Sequence, residues 1–207
     1  RLWGSVGFII ATMGVGVALD YLPIRYLLWM CIVLLAGVVA IAWRFRETPA
    51  VIHAHDYEPV WEILKRPEVI TLFVACFLMI AAHGPLYVFY SIYLVDHGYS
   101  KTAVGALIGV SVASEIIVFL YQPKLFQRFS LRAVMLACFA VAVLRFLMIG
   151  WGAEFVVLLV IAQLLHAATF GAFHAASVAA IHNIFKGRHQ ARGQTLYTSV
   201  AYGAGGT

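Results

Sequence analysis

One carboxylate, one guanidinium and three imidazoles lie inside apolar runs of this 207-residue sequence. Glu115 sits in GVSVASEIIVFL, Arg145 in VAVLRFLMIG, His166 and His174 in QLLHAATFGAFHAAS, and His83 in IAAHGPLYVFY. An arginine at the centre of a membrane span costs roughly 2.5–3.5 kcal/mol, so such a charge usually faces a cavity or a partner rather than lipid. Burial favours the protonated form of a carboxyl group, and an approaching guanidinium restores the ionised form. Glu115 and Arg145 therefore have the chemistry of a movable proton site. The plain alternative is a structural ion pair that holds both charges still.

His166 shares a helical face with Gln163 one turn before it and Phe170 one turn after it. It is either a hydrogen-bonded core histidine or the wall of a polar cavity. His174 follows eight residues later, which on a regular helix rotates it away by about 80°. His83 precedes Gly84 and Pro85, which predicts a break in the helix. That break is either a simple kink or one of the interruptions that line transporter sites. Tyr87, Phe89, Phe170 and Phe173 lie near these groups and could stack on a flat solute. His53, His55, Asp56 and Glu58 are metal-ligand types in a polar loop, but no second cluster accompanies them and a solvated loop is the reading adopted. Neither a metal nor a cofactor is expected, and no phosphate loop, nucleophile elbow or zinc-protease helix is present.

The elements that must position these groups follow from composition. The chain is 63% hydrophobic and only 11% charged, against about half and a quarter for soluble domains. Lipid must be the solvent for most of it. Apolar runs near the ~20 residues that cross a bilayer recur at 2–19, 26–43, 69–94, 102–121, 133–151 and 154–184, with an incomplete one from about 195. Each is read as a helix, since open strands cannot satisfy their backbone in hydrocarbon. The fold class is an all-α membrane bundle of six full spans and part of a seventh. Counting helical rise from the cytoplasmic boundary puts Arg145 about 18 Å, His166 about 13 Å and Glu115 about 10 Å deep. Three successive helices thus bring polar groups to the middle of the bilayer.

Alternating the spans sorts the cations. Arg1, Arg44, Arg46, Lys65, Arg66, Lys124, Arg128, Arg132, Lys186, Arg188 and Arg192 fall on one side, and only Arg25 and Lys101 on the other. The crowded side is cytoplasmic by the positive-inside rule, and the long loop 44–68 with it. Within that loop PVWEILKR reads as a short helix at the membrane surface. Cations confined between spans do not make a nucleic-acid face. Cys31, Cys76 and Cys138 occupy different runs and read as free thiols. Closely spaced glycines (Gly14 and Gly16, Gly105 and Gly109, Gly203 and Gly206) permit close helix packing. The sequence begins at Arg1 without a methionine and stops inside an apolar stretch, so it is expected to be an internal piece whose preceding helices are a partner.

The stretches RLWGSVGF, HGPLYVFYSIYLVDHGYSK, SEIIVFL, FGAFHAASVAAIH and RHQARGQTLYTSVAYGAGG together resemble the phenylpropionate permease family. That family belongs to the major facilitator superfamily and is related to lactose permease. The resemblance covers essentially the whole chain and implies spans five to ten and the start of eleven of a twelve-helix carrier. Residues 1–43 would close the N-terminal bundle, 44–68 would be the linker, and 69–207 would form most of the C-terminal bundle. It makes Arg1 a candidate substrate contact, since RLWGSVG resembles the lactose-permease stretch whose arginine binds sugar, and it makes Arg145 the coupling arginine. QLLHAAT resembles the helix that carries lysine, histidine and glutamate. His166 matches the histidine, whereas Gln163 and Thr169 stand in place of the lysine and the proton-donor glutamate. Glu115 is therefore the substitute proton carrier. PKLFQRFSLR resembles the gating signature GxLxDRxGxR: Leu125, Arg128 and Arg132 fit it, while Pro123, Gln127 and Ser130 depart from it.

These readings make the protein a proton-coupled symporter of the inner membrane, its partners a small organic solute and a proton. The resemblance suggests an aromatic carboxylate such as 3-phenylpropionate. A sugar or a nucleoside is the alternative within transport. Outside it stand a membrane-embedded enzyme with a His/Glu metal centre, for which no HxxxH or HExxH spacing is found, and a non-transporting membrane subunit.

Overall fold

The computed structural model describes residues 2–44, 59–187 and 189–206. The described residues are helical apart from short connections. In chain order the helices are α1 (Leu2–Tyr21), α2 (Tyr26–Ala42), α3 (Val60–Leu64), α4 (Pro67–Asp96), α5 (Lys101–Arg128), α6 (Leu131–Trp151), α7 (Val156–His166), α8 (Phe173–Ile184) and α9 (His189–Tyr197). A π-helical segment, Ala167–Ala172, joins α7 to α8 without a break, and a second one, Thr198–Ala204, extends α9.

Among the described residues, four helices are long and apolar enough to cross a membrane: Pro67–Asp96, Lys101–Arg128, Leu131–Trp151 and the composite Val156–Ile184. The expectation of six full spans is corrected accordingly. Two shorter apolar stretches precede the four helices, Val6–Tyr21 within the 20-residue α1 and Tyr26–Ala42. At 1.5 Å per residue the 17 residues of α2 reach about 26 Å, just under a typical hydrocarbon core. No residue of α2 is buried, so its apolar side chains must face lipid or further protein.

Three other expectations change. α4 runs unbroken through Gly84 and Pro85, although proline removes one helical N–H and crowds the preceding turn. α5 continues about two turns past its expected end, through Pro123. The last helix starts at His189, ahead of the apolar run expected from about 195. The surface helix expected in PVWEILKR is α3, which buries Ile63 and leaves Trp61 exposed.

Local signals set the boundaries. The Ser100 hydroxyl caps α5 by accepting from Ala103 N at 3.1 Å, and the Ser130 hydroxyl caps α6 from Ala133 N at 3.2 Å. Serine is a favoured N-cap because its oxygen satisfies one of the orphan N–H groups of the first turn. Glycine sets how close α1 lies to α5: a Cβ on Gly16 would stand 2.9 Å from the Lys101 carbonyl oxygen, and one on Gly105 3.0 Å from that of Thr12. The Asp20 carboxylate locks the same pair of helices. It accepts from the backbone N–H groups of Lys101 and Thr102, each at 3.0 Å, and from the Thr102 hydroxyl, while Lys101 Nζ donates to Leu19 O at 2.7 Å.

Two apolar cores flank the middle of the bundle. One, at the end rich in basic residues, gathers Val69, Cys76, Met79, Cys138, Phe173, Phe185 and Tyr197. The other, towards Asp20 and Lys101, gathers Tyr90, Leu94, Val104, Leu107, Ile149 and Leu159. The buried polar groups lie between them.

Candidate functional site

α6 carries Arg145 into the bundle, where it is 2% exposed. Its Nε donates to Ala162 O at 3.0 Å, Nη1 to His83 Nε2 at 3.1 Å and to Thr169 Oγ1 at 3.3 Å, and Nη2 to Gln163 Oε1 at 3.5 Å. Every one of these partners is a neutral group. A guanidinium has five N–H donors and no acceptor, so four are used and one, on Nη2, is left. Because arginine only donates, His83 Nε2 must accept. The proton of that ring is then on Nδ1, which donates to Met79 O at 2.8 Å. His83 therefore orients Arg145 and is itself held by its own helix.

Glu115, from α5, meets His166 at the end of α7. Glu115 Oε1 lies 2.8 Å from His166 Nε2. Gly171 faces the acid, and a Cβ there would stand 3.4 Å from Glu115 Cγ, an ordinary van der Waals contact. The Glu115–Arg145 contact, read from sequence as a movable proton site or a structural ion pair, is not formed in this structure. Arg145 is turned into the carbonyl and side-chain acceptors of α7 and α4, while the carboxylate reaches across Gly171 to the imidazole. His166 Nδ1 is buried without a hydrogen-bond partner among the described residues.

The π-helical segment changes the register of the next helix. A π turn holds more residues than an α turn, as its i→i+5 bonding requires, and it rotates all that follows. His174, placed off-face by α-helical counting, comes back onto the His166 face. His166 stacks on Phe170 with ring centroids 5.3 Å apart and planes 8° apart, and Phe170 stacks on His174 at 6.1 Å and 9°. Near His174 Nδ1 the hydroxyls of Tyr197 and Tyr202 lie at 3.0 and 2.9 Å, which ties the stack to the last helix.

These groups line one cavity of about 720 Å³, bounded by Glu115, Arg145, Gln163, His166, Phe170 and His174, with Phe8, Tyr87, Tyr90 and Phe119 adding rings. A second cavity of about 470 Å³ continues towards the basic-rich end, past His174 and Phe119, and is more polar, with Gln122, His182 and Asn183 in its wall. The structure thus brings together Arg145, Glu115, His166, Gln163, Phe170 and His174, with His83 behind Arg145. Arg128 and Arg132 are exposed on either side of the two-residue turn between α5 and α6, away from the cavity. Arg1 lies outside the described residues, and so do His53, His55, Asp56 and Glu58. Of the four aromatics considered, Tyr87 and Phe170 line the cavity, Phe89 faces outward and Phe173 packs in the core. Sequence reasoning missed Tyr90, Tyr197 and Asp20. Only Asp20 carried a visible signal, a carboxylate at the end of an apolar run.

The family model described as MFS_1 like family matches residues 1–207. The chain is 31% identical over 210 residues to a protein of Escherichia coli (strain K12) named "Probable 3-phenylpropionic acid transporter". That alignment takes in 98% of this chain and 54% of the relative, so the chain spans about half the length of the protein it matches. No solved structure matches it. A helical bundle with membrane-length apolar helices, a buried polar centre and a family match from end to end lead to one assignment: the chain belongs to the MFS_1 like family of the major facilitator superfamily and is phenylpropionate permease-like.

Proposed function

We propose that this protein carries a small aromatic carboxylate, such as 3-phenylpropionate, across the inner membrane together with a proton, by alternating access around the central cavity. The observation that supports this reading best is Arg145. It is a buried cation whose protein partners are all neutral, with one N–H to spare, in a cavity of about 720 Å³. That volume is within the range of small-molecule sites. An unpaired guanidinium in low dielectric selects an anion, and its planar fork suits a carboxylate. The rings of Phe8, Tyr87, Tyr90, Phe119 and Phe170 suit an aromatic body better than a polyol, which places a sugar second. On this reading residues 1–43 and 69–207 belong to two bundles joined by a cytoplasmic linker, 44–68, and both bundles share the site.

The test is uptake by proteoliposomes containing the full-length protein. With an inside-alkaline pH step, labelled 3-phenylpropionate should accumulate above its external concentration, and a protonophore should abolish the accumulation. Excess lactose or a nucleoside should leave it unaffected. Entry that only equilibrates would mean uniport, and no entry would discard the substrate.

A further inference from the structure

We infer that Phe170 is the residue by which the cavity selects an aromatic over a saturated ring, through the edge of a phenyl group clamped between two imidazoles. This rests on the transport reading above and adds which side chain sets its preference.

Several rings border the cavity, and they differ in how they are held. Phe8, on α1, is 49% exposed, and Tyr87, on α4, is 55% exposed and tilted 38° against His83. Tyr90 is buried in the apolar core towards Asp20. Phe119, from α5, is half-buried. Of these cavity rings and Phe170, it is Phe170 that is stacked on both sides among the described residues. His166 lies at 5.3 Å and 8°, and His174 at 6.1 Å and 9°.

Both imidazoles are themselves tethered. His166 meets Glu115 at 2.8 Å, and His174 meets the hydroxyls of Tyr197 and Tyr202 on the last helix. The π-helical segment Ala167–Ala172, which contains Phe170, is what aligns all three rings. The plane of Phe170 is thus set before a solute arrives, and little ordering entropy is lost on contact.

With a ring stacked on either face, what this half-buried phenyl group offers the cavity is its rim. The rim of an arene is electropositive and its face electronegative, so a rim attracts the face of a second arene in an edge-to-face contact. A saturated ring has no such face. It is also bulkier and at least as apolar, so burial alone, which follows apolar area, would favour it. Preference for the flat ring must therefore come from a ring contact, and the one at Phe170 is fixed in advance. Its position suits the task. His83, bonded to Arg145, lies 6.2 Å from His166 ring to ring, and Phe170 is next along the column. A carboxylate on Arg145 that carries two methylenes extends its ring along this wall.

The experiment compares acids that differ only in the ring. Purified full-length protein is titrated calorimetrically with 3-phenylpropionate and with 3-cyclohexylpropionate. Wild type should bind the phenyl acid about two- to tenfold more tightly. F170L and F170M keep the bulk and remove the arene. Each should bring the ratio to one or below, while the cyclohexyl acid still binds within about twofold of its wild-type Kd, which distinguishes a lost ring contact from a collapsed cavity. A ratio retained in either folded variant would overturn the inference, as would its loss in F8L or F119L but not in F170L. A wild-type ratio of one or below would overturn it without any variant and leave carboxylate transport standing. Should the variants not fold, 3-(pentafluorophenyl)propionate decides on wild type alone. Its fluorines invert the charge of the ring face, so it should bind no better than the cyclohexyl acid, and tighter binding than the phenyl acid would overturn the edge contact. If none of the three acids binds, the substrate reading fails, and this inference with it.

Discussion

Replacing Arg145 by lysine keeps the charge and removes the fork, so it separates electrostatics from geometry. Arg145 meets four acceptors, Ala162 O, His83 Nε2, Thr169 Oγ1 and Gln163 Oε1, at 3.0 to 3.5 Å through three different nitrogens. A lysine ammonium has three N–H donors on one atom. Seated where Nη1 lies, it can satisfy His83 and Thr169 and spend its third donor on Gln163 or the Ala162 carbonyl. No donor is then left for a ligand. A hydrogen bond to a charged group contributes about 1.5–3 kcal/mol, so R145K should weaken 3-phenylpropionate binding about ten- to a hundredfold. The assay is isothermal titration of purified wild-type and R145K protein at a pH where the wild type binds, with thermal melting to show that both are folded. A folded R145K protein that binds within threefold of wild type would refute the reasoning, because charge without the fork would then be enough.

The Asp20 clamp joins α1 to the start of α5 at the end away from the basic residues. D20N keeps one acceptor and sets an amide N–H against a backbone N–H. A cysteine replacing Ser91, an α4 residue that lines the central cavity, in protein whose native cysteines have been changed to serine, should then react severalfold faster with a membrane-impermeant maleimide added from that side. An unchanged rate would mean that the clamp does not close this end. G16A should lower stability by about 1–3 kcal/mol, the usual cost of overpacking, since its Cβ meets the Lys101 carbonyl oxygen at 2.9 Å. G150A, with nothing within 4 Å, should be close to neutral, and thermal melting followed with a thiol-reactive dye compares the two.

Composition and run length made the helices legible, and charge sorting between the runs made the order of their ends legible. What those signals lack is the cost of each boundary. Proline at Pro85 and Pro123 reads as a stop by local rules, yet α4 and α5 pass through both, because packing between neighbouring helices outweighs one lost hydrogen bond. The site was legible in its members and not in its pairing. Arg145, Glu115 and His166 stand out because ionisable groups are costly in apolar runs. His174 was placed on the wrong face because the count assumed an unbroken 3.6-residue period, and the intervening AATFGA contains no residue type that announces a π turn. Tyr90 and Tyr197 were invisible because a tyrosine in an apolar run reads equally well as packing.

A fixed Arg145–Glu115 ion pair, the plain alternative in the sequence reading, is also the weaker design for a carrier. Breaking a buried ion pair by removing one partner typically costs 3–5 kcal/mol, and a solute binding at Arg145 would have to supply that energy before gaining anything. In the structure His166 takes the carboxylate and neutral acceptors take the guanidinium. Each charge is held in place by hydrogen bonds that a ligand need not disturb, and each side keeps one unused valence. Ligand binding then adds contacts without breaking any. The two charges still respond to one another through the low-dielectric cavity they share, which is all that linkage between a proton and an anion requires. Separation of Glu115 from Arg145 thus leaves the cavity free to fill and empty, where a direct salt bridge would hold it shut.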